Sequence, residues 1–308
     1  MPAYRLLPFC KDYLWGGERL RQDFEIVSDL KPLAEAWILS CHPDGSSVFA
    51  DGSYAGVSLP KYIQQVGRQV LGTRCAQFKD FPLMVKLIDA RQPTSIQVHP
   101  PDQYALSYEG QSGKTEMWVI LHAEPGAYLY YGLNRTISRD ELVQRINDGS
   151  LIEVLRKMYV KSGDTIFIPA GTIHAIGAGL TVAEIQQNSN VTYRIFDYGR
   201  VGKNGMPRDL HVEQALSIAT LEGTKTINFS PHLGLCRYFT VDRANAPLQG
   251  MVGSETFLFI LAISGEGMLY CEKERHILRP GRSFFLPAGS GCYWLEGSCQ
   301  ILLVYLSE

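Results

Sequence analysis

The sequence predicts a mainly β protein made of two β-barrel units, with a few helices inserted in the first. Three observations carry this expectation. Most of the 308 residues fall into short β-branched and aromatic runs cut by glycine and proline, the pattern of sandwiches and barrels. Helical periodicity is confined to a few stretches. And one twelve-residue pattern occurs twice: residues 163–174 read GDTIFIPAGTIH, and residues 281–292 read GRSFFLPAGSGC. Glycine and proline punctuate every β protein, but two copies with one spacing point to a duplicated unit.

In chain order, SLPKYIQQVGRQVLG (58–72) is the first helical candidate. Strands follow at 82–90 (PLMVKLIDA), 94–99 (TSIQVH), 115–123 (TEMWVILHA) and 127–133 (AYLYYGL). Ser138 with Glu141, and Ser150 with Glu153, each form the Ser-x-x-Glu box that opens a helix, so two short helices are expected across 138–160. Strands resume at 164–169, 180–187 and 191–198, and HVEQALSIATL (211–221) is the last helical pattern. Beyond about residue 222 only strands remain. The expected organisation is a catalytic unit over residues 1–225, with helices at about 55–75 and 138–160, and a structural unit over residues 226–308.

Composition narrows the function. The residues are 45% apolar and 19% charged, the balance of a soluble globular chain. A net charge of -2 gives no electrostatic reason to expect nucleic acid or an anionic membrane as partner. No apolar window is long enough to span a bilayer, and the N-terminus has no signal-peptide core. Seven scattered cysteines, an odd number without a CxxC pair, suggest buried or inert thiols in a reducing compartment, with the cytoplasm as the default.

Strand alternation supplies the chemistry. In TSIQVH, residues Ser95, Gln97 and His99 share a face, opposite Ile96 and Val98. Taken alone, that face reads equally well as solvated surface. The next strands repeat the feature: Lys114, Glu116 and Trp118 share a face, as do Glu184 with Gln186, and Thr192, Arg194 and Phe196. His174 ends the first copy of the repeated pattern. If these segments line one barrel, its mouth holds Gln97, His99, Lys114, Glu116, His174, Glu184 and Arg194. Burying so much charge is prohibitive without pairing, a metal or a ligand. Two histidines, a carboxylate and a carboxamide make a sensible divalent-metal set, and with one negative charge among them the ion keeps its Lewis acidity. His42, His122, His211, His232 and His276 lack such company and read as ordinary histidines. Lys86 interrupts the apolar run LMVKLI, needs a partner, and is expected near the rim of the site.

These residues resemble a known family. G-x5-P-x-G-x2-H is similar to the second motif of the cupin superfamily. Over most of the chain, YLWGG (13–17), AEAWILSCHPDGSS (34–47), FPLMVKLIDA (81–90), SIQVHPPDQYA (95–105), GKTEMW (113–118), IPAGTIHAIGAG (168–179) and EIQQNSNVTYRIFDYGR (184–200) resemble type I mannose-6-phosphate isomerases in their short bacterial form. The resemblance implies two cupin, or jelly-roll, domains with helices added to the first. It implies one zinc ion per chain on Gln97, His99, Glu116 and His174, and Arg194 as the active-site arginine. Lys114 and Glu184 match further active-site positions, and Ser95 matches a serine near the substrate phosphate. The chain departs from the family at QVHPPD, where QVHPDD is common, and at Ser189-Asn190, where Ser-Asp is common.

The implied activity is interconversion of mannose 6-phosphate and fructose 6-phosphate by a monomer or weak homo-oligomer. Such an isomerisation needs a stabilised enediolate and a placed base. Glu184 or Lys114 would be the acid/base, and Arg194 would donate to the oxyanion or the phosphate. Two other classes compete. His99, Glu116 and His174 alone form the two-histidine, one-carboxylate set of non-haem iron oxygenases. A non-catalytic sugar-phosphate sensor is the other, although it would need no acid/base pair.

Overall fold

In the computed structural model, which describes residues 2–202 and 205–308, both copies of the repeated pattern take the same backbone course. Gly163 and Gly281 open them at φ of +93° and +87°, and Gly171 and Gly289 close them at +88° and +78°. Side-chain-bearing residues avoid this left-handed region, which is why the pattern keeps its glycines. Gly281 is doubly constrained, since a Cβ there would lie 2.0 Å from Phe24 O. Between the glycines lie the equivalent strands Thr165–Ile168 and Ser283–Leu286. His174 does not merely follow a strand; it begins the next one, His174–Ile176.

The chain divides into two compact units, the first containing residues up to 11, 18–87 and 228–308, the second residues 12–17 and 88–227. This division is not one cut in the sequence near residue 225. The N-terminal strand Tyr4–Leu7 pairs antiparallel with Ser283–Leu286, in register Tyr4↔Phe285, and with Val48–Phe49. A pairing between segments so far apart in the chain leaves no trace in local periodicity, so the early residues group with the C-terminal segment.

In the first unit the long strands Leu258–Cys271 and Gly291–Tyr305 run antiparallel at the centre of a nine-stranded sheet. Leu258, Ile260, Ala262, Leu269, Phe284, Leu286, Tyr293, Leu295 and Ile301 fill its core. Lys86 belongs to this unit. Its ammonium sits 3.7 Å from Glu35 Oε2 and 5.0 Å from the Trp37 ring. Trp37 Nε1 also donates to Glu35 at 2.7 Å. The carboxylate and the ring account for a buried cation without calling on substrate.

In the second unit, five antiparallel strands lie in the order Leu155–Tyr159, Tyr128–Leu133, His174–Ile176, Ile96–Val98, Tyr193–Phe196. Glu116–Ala123 pairs antiparallel with Thr165–Ile168 on one side and Leu180–Gln187 on the other. One face of the five strands is apolar: Ile96, Val98, Ala175, Tyr193 and Ile195 pack with Leu142, Ile146 and Ala215 from two helices. Each aliphatic side chain buried there contributes roughly 1.5–3 kcal/mol. The opposite face carries the polar residues.

The helices match their patterns with two differences. The 58–72 stretch is an α-helix only over Leu59–Val66, followed by 3₁₀ turns; Gly67 and Gly72 interrupt it at φ of +104° and +84°. Arg139–Asp148 is capped as expected, with Ser138 Oγ accepting from Glu141 N at 3.1 Å, and ends at Gly149 in the left-handed conformation. The second expected helix of that region is one 3₁₀ turn, Leu151–Val154, after which the chain enters the strand Leu155–Tyr159. Ser150 makes no side-chain cap bond there. Val212–Ile218 is the last helix, and Asp102–Tyr108 is a helix that periodicity did not announce. No helix among the described residues is long and apolar enough to cross a membrane, and the seven cysteines are free thiols.

Candidate metal centre

Cross-strand register assembles the site. His174 lies opposite Gln97, and Gln97 lies opposite Arg194, so three strands put these residues in one row. On the other strands Glu116 lies opposite Gln186, and Trp118 opposite Glu184. His99, Glu116 and His174 converge, with one potential ligand atom from each lying within 4.8 Å of the others. All three are at most 1% exposed.

The hydrogen bonds place one proton on each histidine, and burial disfavours a second. His99 Nδ1 lies 3.0 Å from Val191 O, and His174 Nδ1 lies 2.8 Å from Thr172 O. A carbonyl oxygen only accepts, so each Nδ1 carries the proton and each neutral ring turns an Nε2 lone pair inward. Burial holds both rings below the usual imidazole range, His99 down to about 3, with the Lys114 ammonium adding to the effect on His99. Burial alone would push the Glu116 carboxyl up. The adjacent Lys114 cation leads the opposing effects, and the group titrates well below the usual carboxylate range.

Glu116 Oε1 is buried without a hydrogen-bond partner, 3.3 Å from His174 Nε2. Glu116 Oε2 lies 3.4 Å from His99 Nε2. The Lys114 ammonium serves Oε2 and His99 Nε2, but Oε1 facing the His174 Nε2 lone pair has no donor, and such a pair in a dry interior calls for a cation. Two imidazole nitrogens and a carboxylate are a donor set for a divalent ion. The residues therefore fit a metal. Gln97 adjoins them, its Nε2 3.5 Å from His174 Nε2 and its Oε1 accepting from Ser95 Oγ at 3.3 Å.

The acid/base candidates sit alongside. Lys114, 3% exposed, places its ammonium 2.5 Å from Glu116 Oε2, 3.0 Å from His99 Nε2 and 3.6 Å from Glu184 Oε1. Trp118 Nε1 donates to Glu184 Oε2 at 2.9 Å. Arg194 donates from Nε to Ser95 Oγ at 3.3 Å and from Nη1 to Asp209 O at 2.9 Å. Of the residues singled out from sequence, the structure brings Ser95, Gln97, His99, Lys114, Glu116, His174, Glu184 and Arg194 together through hydrogen bonds, ion pairs and close contacts. Sequence reasoning did not assign a task to Trp118, although alternation had put it on the face of Lys114 and Glu116. It also passed over Asp197, which binds both Arg200 and Arg208; no spacing rule singles out that cluster.

Comparison with known proteins identifies the family. Residues 3–119 match the family model described as phosphomannose isomerase type I, catalytic domain, and residues 231–306 match mannose-6-phosphate isomerase, cupin domain. The chain is 34% identical to a mannose-6-phosphate isomerase of Streptococcus mutans, over 96% of this chain and 95% of the relative. It is also 34% identical to the mannose-6-phosphate isomerase ManA of Bacillus subtilis, over 97% of each. A crystal structure of the mannose 6-phosphate isomerase from Bacillus subtilis superposes with a TM-score of 0.89 at 34% identity, covering 99% of both chains. The mainly β, cupin character expected from sequence is thereby shown, and the chain belongs to the type I phosphomannose isomerase family.

Proposed function

We propose that the chain interconverts mannose 6-phosphate and fructose 6-phosphate with one zinc ion held by His99, Glu116 and His174, and by Gln97 through its amide oxygen. The observation that carries the proposal is a pair of proton-handling groups, Lys114 and Glu184, set 3.6 Å apart beside three converging metal donors. A half-turn of the Gln97 amide about its last torsion would exchange its oxygen and nitrogen and complete the donor set.

When bound, the ion would supply Lewis acidity toward the oxygens on C1 and C2 of the open-chain sugar. The residues of the chain do the rest. Glu184, oriented by Trp118, is the base that removes the C2 proton of the aldose. Lys114, within reach of Glu184, protonates the C1 oxygen as the C2–H electron pair forms the C1–C2 double bond of the enediol. In the second half the C2 hydroxyl returns its proton and C1 receives one from Glu184, giving the ketose. No atom is gained or lost. Arg194, fixed on Ser95 and Asp209, presents its fork to substrate oxygens, and Ser95 lies beside it toward the phosphate.

A coupled assay for fructose 6-phosphate formed from mannose 6-phosphate tests this. Conversion is expected, prolonged chelation should reduce it at least about tenfold, and zinc should restore it. Absence of conversion would overturn the proposal. Activity indifferent to prolonged chelation would overturn its metal half, and oxygen uptake would favour the iron-oxygenase class instead.

A further inference from the structure

Lys114 sits in the loop Gly113-Lys114-Thr115, whose three successive backbone N–H groups are all engaged. Gly113 N donates to Asp102 Oδ1 at 2.8 Å, Lys114 N to Pro100 O at 3.0 Å, and Thr115 N to Gln187 Oε1 at 2.8 Å. The two side chains are themselves joined, since Gln187 Nε2 donates to the same Asp102 Oδ1 at 2.8 Å. Gln187 N also donates to Thr115 O at 3.2 Å. Gly113 is needed at this crossing, because a Cβ there would lie 2.5 Å from Asp102 N and 2.6 Å from Pro101 C.

One oxygen atom therefore ties together three segments: the turn after His99, the loop of Lys114, and the end of the strand that carries Glu184. Neither Asp102 nor Gln187 belongs to the group of converging metal donors. A partly exposed aspartate at the first position of the helix Asp102–Tyr108 has an ordinary explanation, since an acidic residue there favours the helix. That explanation leaves the two bonds to Oδ1 and the engagement of Gln187 unaccounted for.

We propose that Asp102 and Gln187 are positioning residues that clamp the Gly113–Thr115 loop and so fix Lys114 between Glu116 and Glu184. The inference rests on the assignment of Lys114 as a proton carrier in the preceding subsection. Asp102→Asn keeps an Oδ1 able to accept both bonds while removing the charge that favours the helix. Asp102→Ala removes both functions, and Gln187→Ala removes the clamp while leaving the helix terminus intact.

The test combines steady-state kinetics, metal analysis and amide hydrogen exchange on the full-length wild type and these three variants. Asp102→Ala and Gln187→Ala should lower kcat by about 10- to 100-fold, the scale of a misplaced catalytic group, with KM within about twofold and metal content unchanged. Asp102→Asn should keep kcat within about threefold. The double alanine variant should be little worse than either single one, as expected of residues acting as one unit. Exchange at Gly113 and Thr115 should speed up at least about tenfold in the alanine variants and not in Asp102→Asn.

The proposal is overturned if both alanine variants keep kcat within twofold, or if Asp102→Asn falls as far as Asp102→Ala. It is also overturned if activity is lost together with the metal, which would make the pair a support of His99. Should the wild type fail to isomerise the sugar phosphate, the functional reading falls, and the exchange results alone decide the clamp: unprotected Gly113 and Thr115 amides would refute it.

Discussion

At Trp118 a residue best known for filling cores instead orients a charge. Its indole N–H meets Glu184 Oε2 at 2.9 Å, and its ring lies edge-on to His174 at 5.4 Å between centroids. Both partners are buried. Trp118→Phe would keep an aromatic ring but delete the donor and part of the indole's volume, leaving a buried carboxylate oxygen short of that bond at a cost of about 1–3 kcal/mol, with a cavity cost added. The expected result is a kcat lowered by roughly tenfold, since Glu184 would be free to turn, with metal content retained and a melting midpoint lower by about 2–4 °C per kcal/mol. Kinetics, metal analysis and a thermal melt on one preparation check all three. An unchanged kcat would show that Glu184 needs no orientation by the indole. Alternation along TEMW was enough to place Trp118 on the polar face. Its partner lies 66 positions away, and that was legible only once the register Glu184↔Trp118 was known.

Among the elements, those with local signals were legible and those made by pairing were not. Ser138 caps its helix because Ser-x-x-Glu is followed by an amphipathic segment and then by Gly149, which ends it at φ +76°. The same box at Ser150 gives only a 3₁₀ turn, because Leu155–Tyr159 is claimed by its ladder to Tyr128–Leu133; tertiary pairing overrides a local helix signal. The strand His174–Ile176 is three residues long, too short for periodicity to mark, and exists because Tyr128–Leu133 and Ile96–Val98 flank it. The helix Asp102–Tyr108 starts after Pro101, with no side-chain cap to betray it. The contrast between the two serines can be measured. Ser138→Ala should cost about 1 kcal/mol and lower the midpoint by a few degrees without changing kcat/KM. Ser150→Ala should cost well under half as much through capping, as its hydroxyl makes no cap bond and instead meets Arg145 at 3.2 Å. Equal losses at the two positions, measured by denaturant unfolding, would mean the local capping signal was misread.

Over the whole molecule, the duplicated pattern separates scaffold from chemistry. Both copies keep the two left-handed glycines and the four-residue strand, so the backbone device was readable from the sequence. What differs is what the device delivers. The first copy delivers His174, fully buried and facing Gln97 across the ladder. The second delivers Cys292, which is exposed and lies opposite Met251, on a sheet whose core is the apolar set of Phe284, Leu286, Tyr293 and Leu295. Among the described residues, His99, Glu116 and His174 form the one group of histidine, cysteine and acidic side chains placed to hold an ion. The chain should therefore bind one metal ion tightly, and the binding should depend on one copy alone. His174→Ala should lower tightly bound metal from about one per chain to near zero, because the three donors left, one of them a neutral carboxamide, hold an ion far less tightly than the full set. Cys292→Ser should leave it at one, with kcat unchanged. Cys292→His, which restores the full first-copy pattern to the second, should also leave it at one, since among the described residues no group of histidine, cysteine and acidic side chains converges there. Equilibrium dialysis followed by elemental analysis reads the stoichiometry directly. A second tight equivalent in Cys292→His would mean that the glycine-proline scaffold makes a metal site by itself. An unchanged stoichiometry there would mean that what makes the first copy a site is the register of the strands around it.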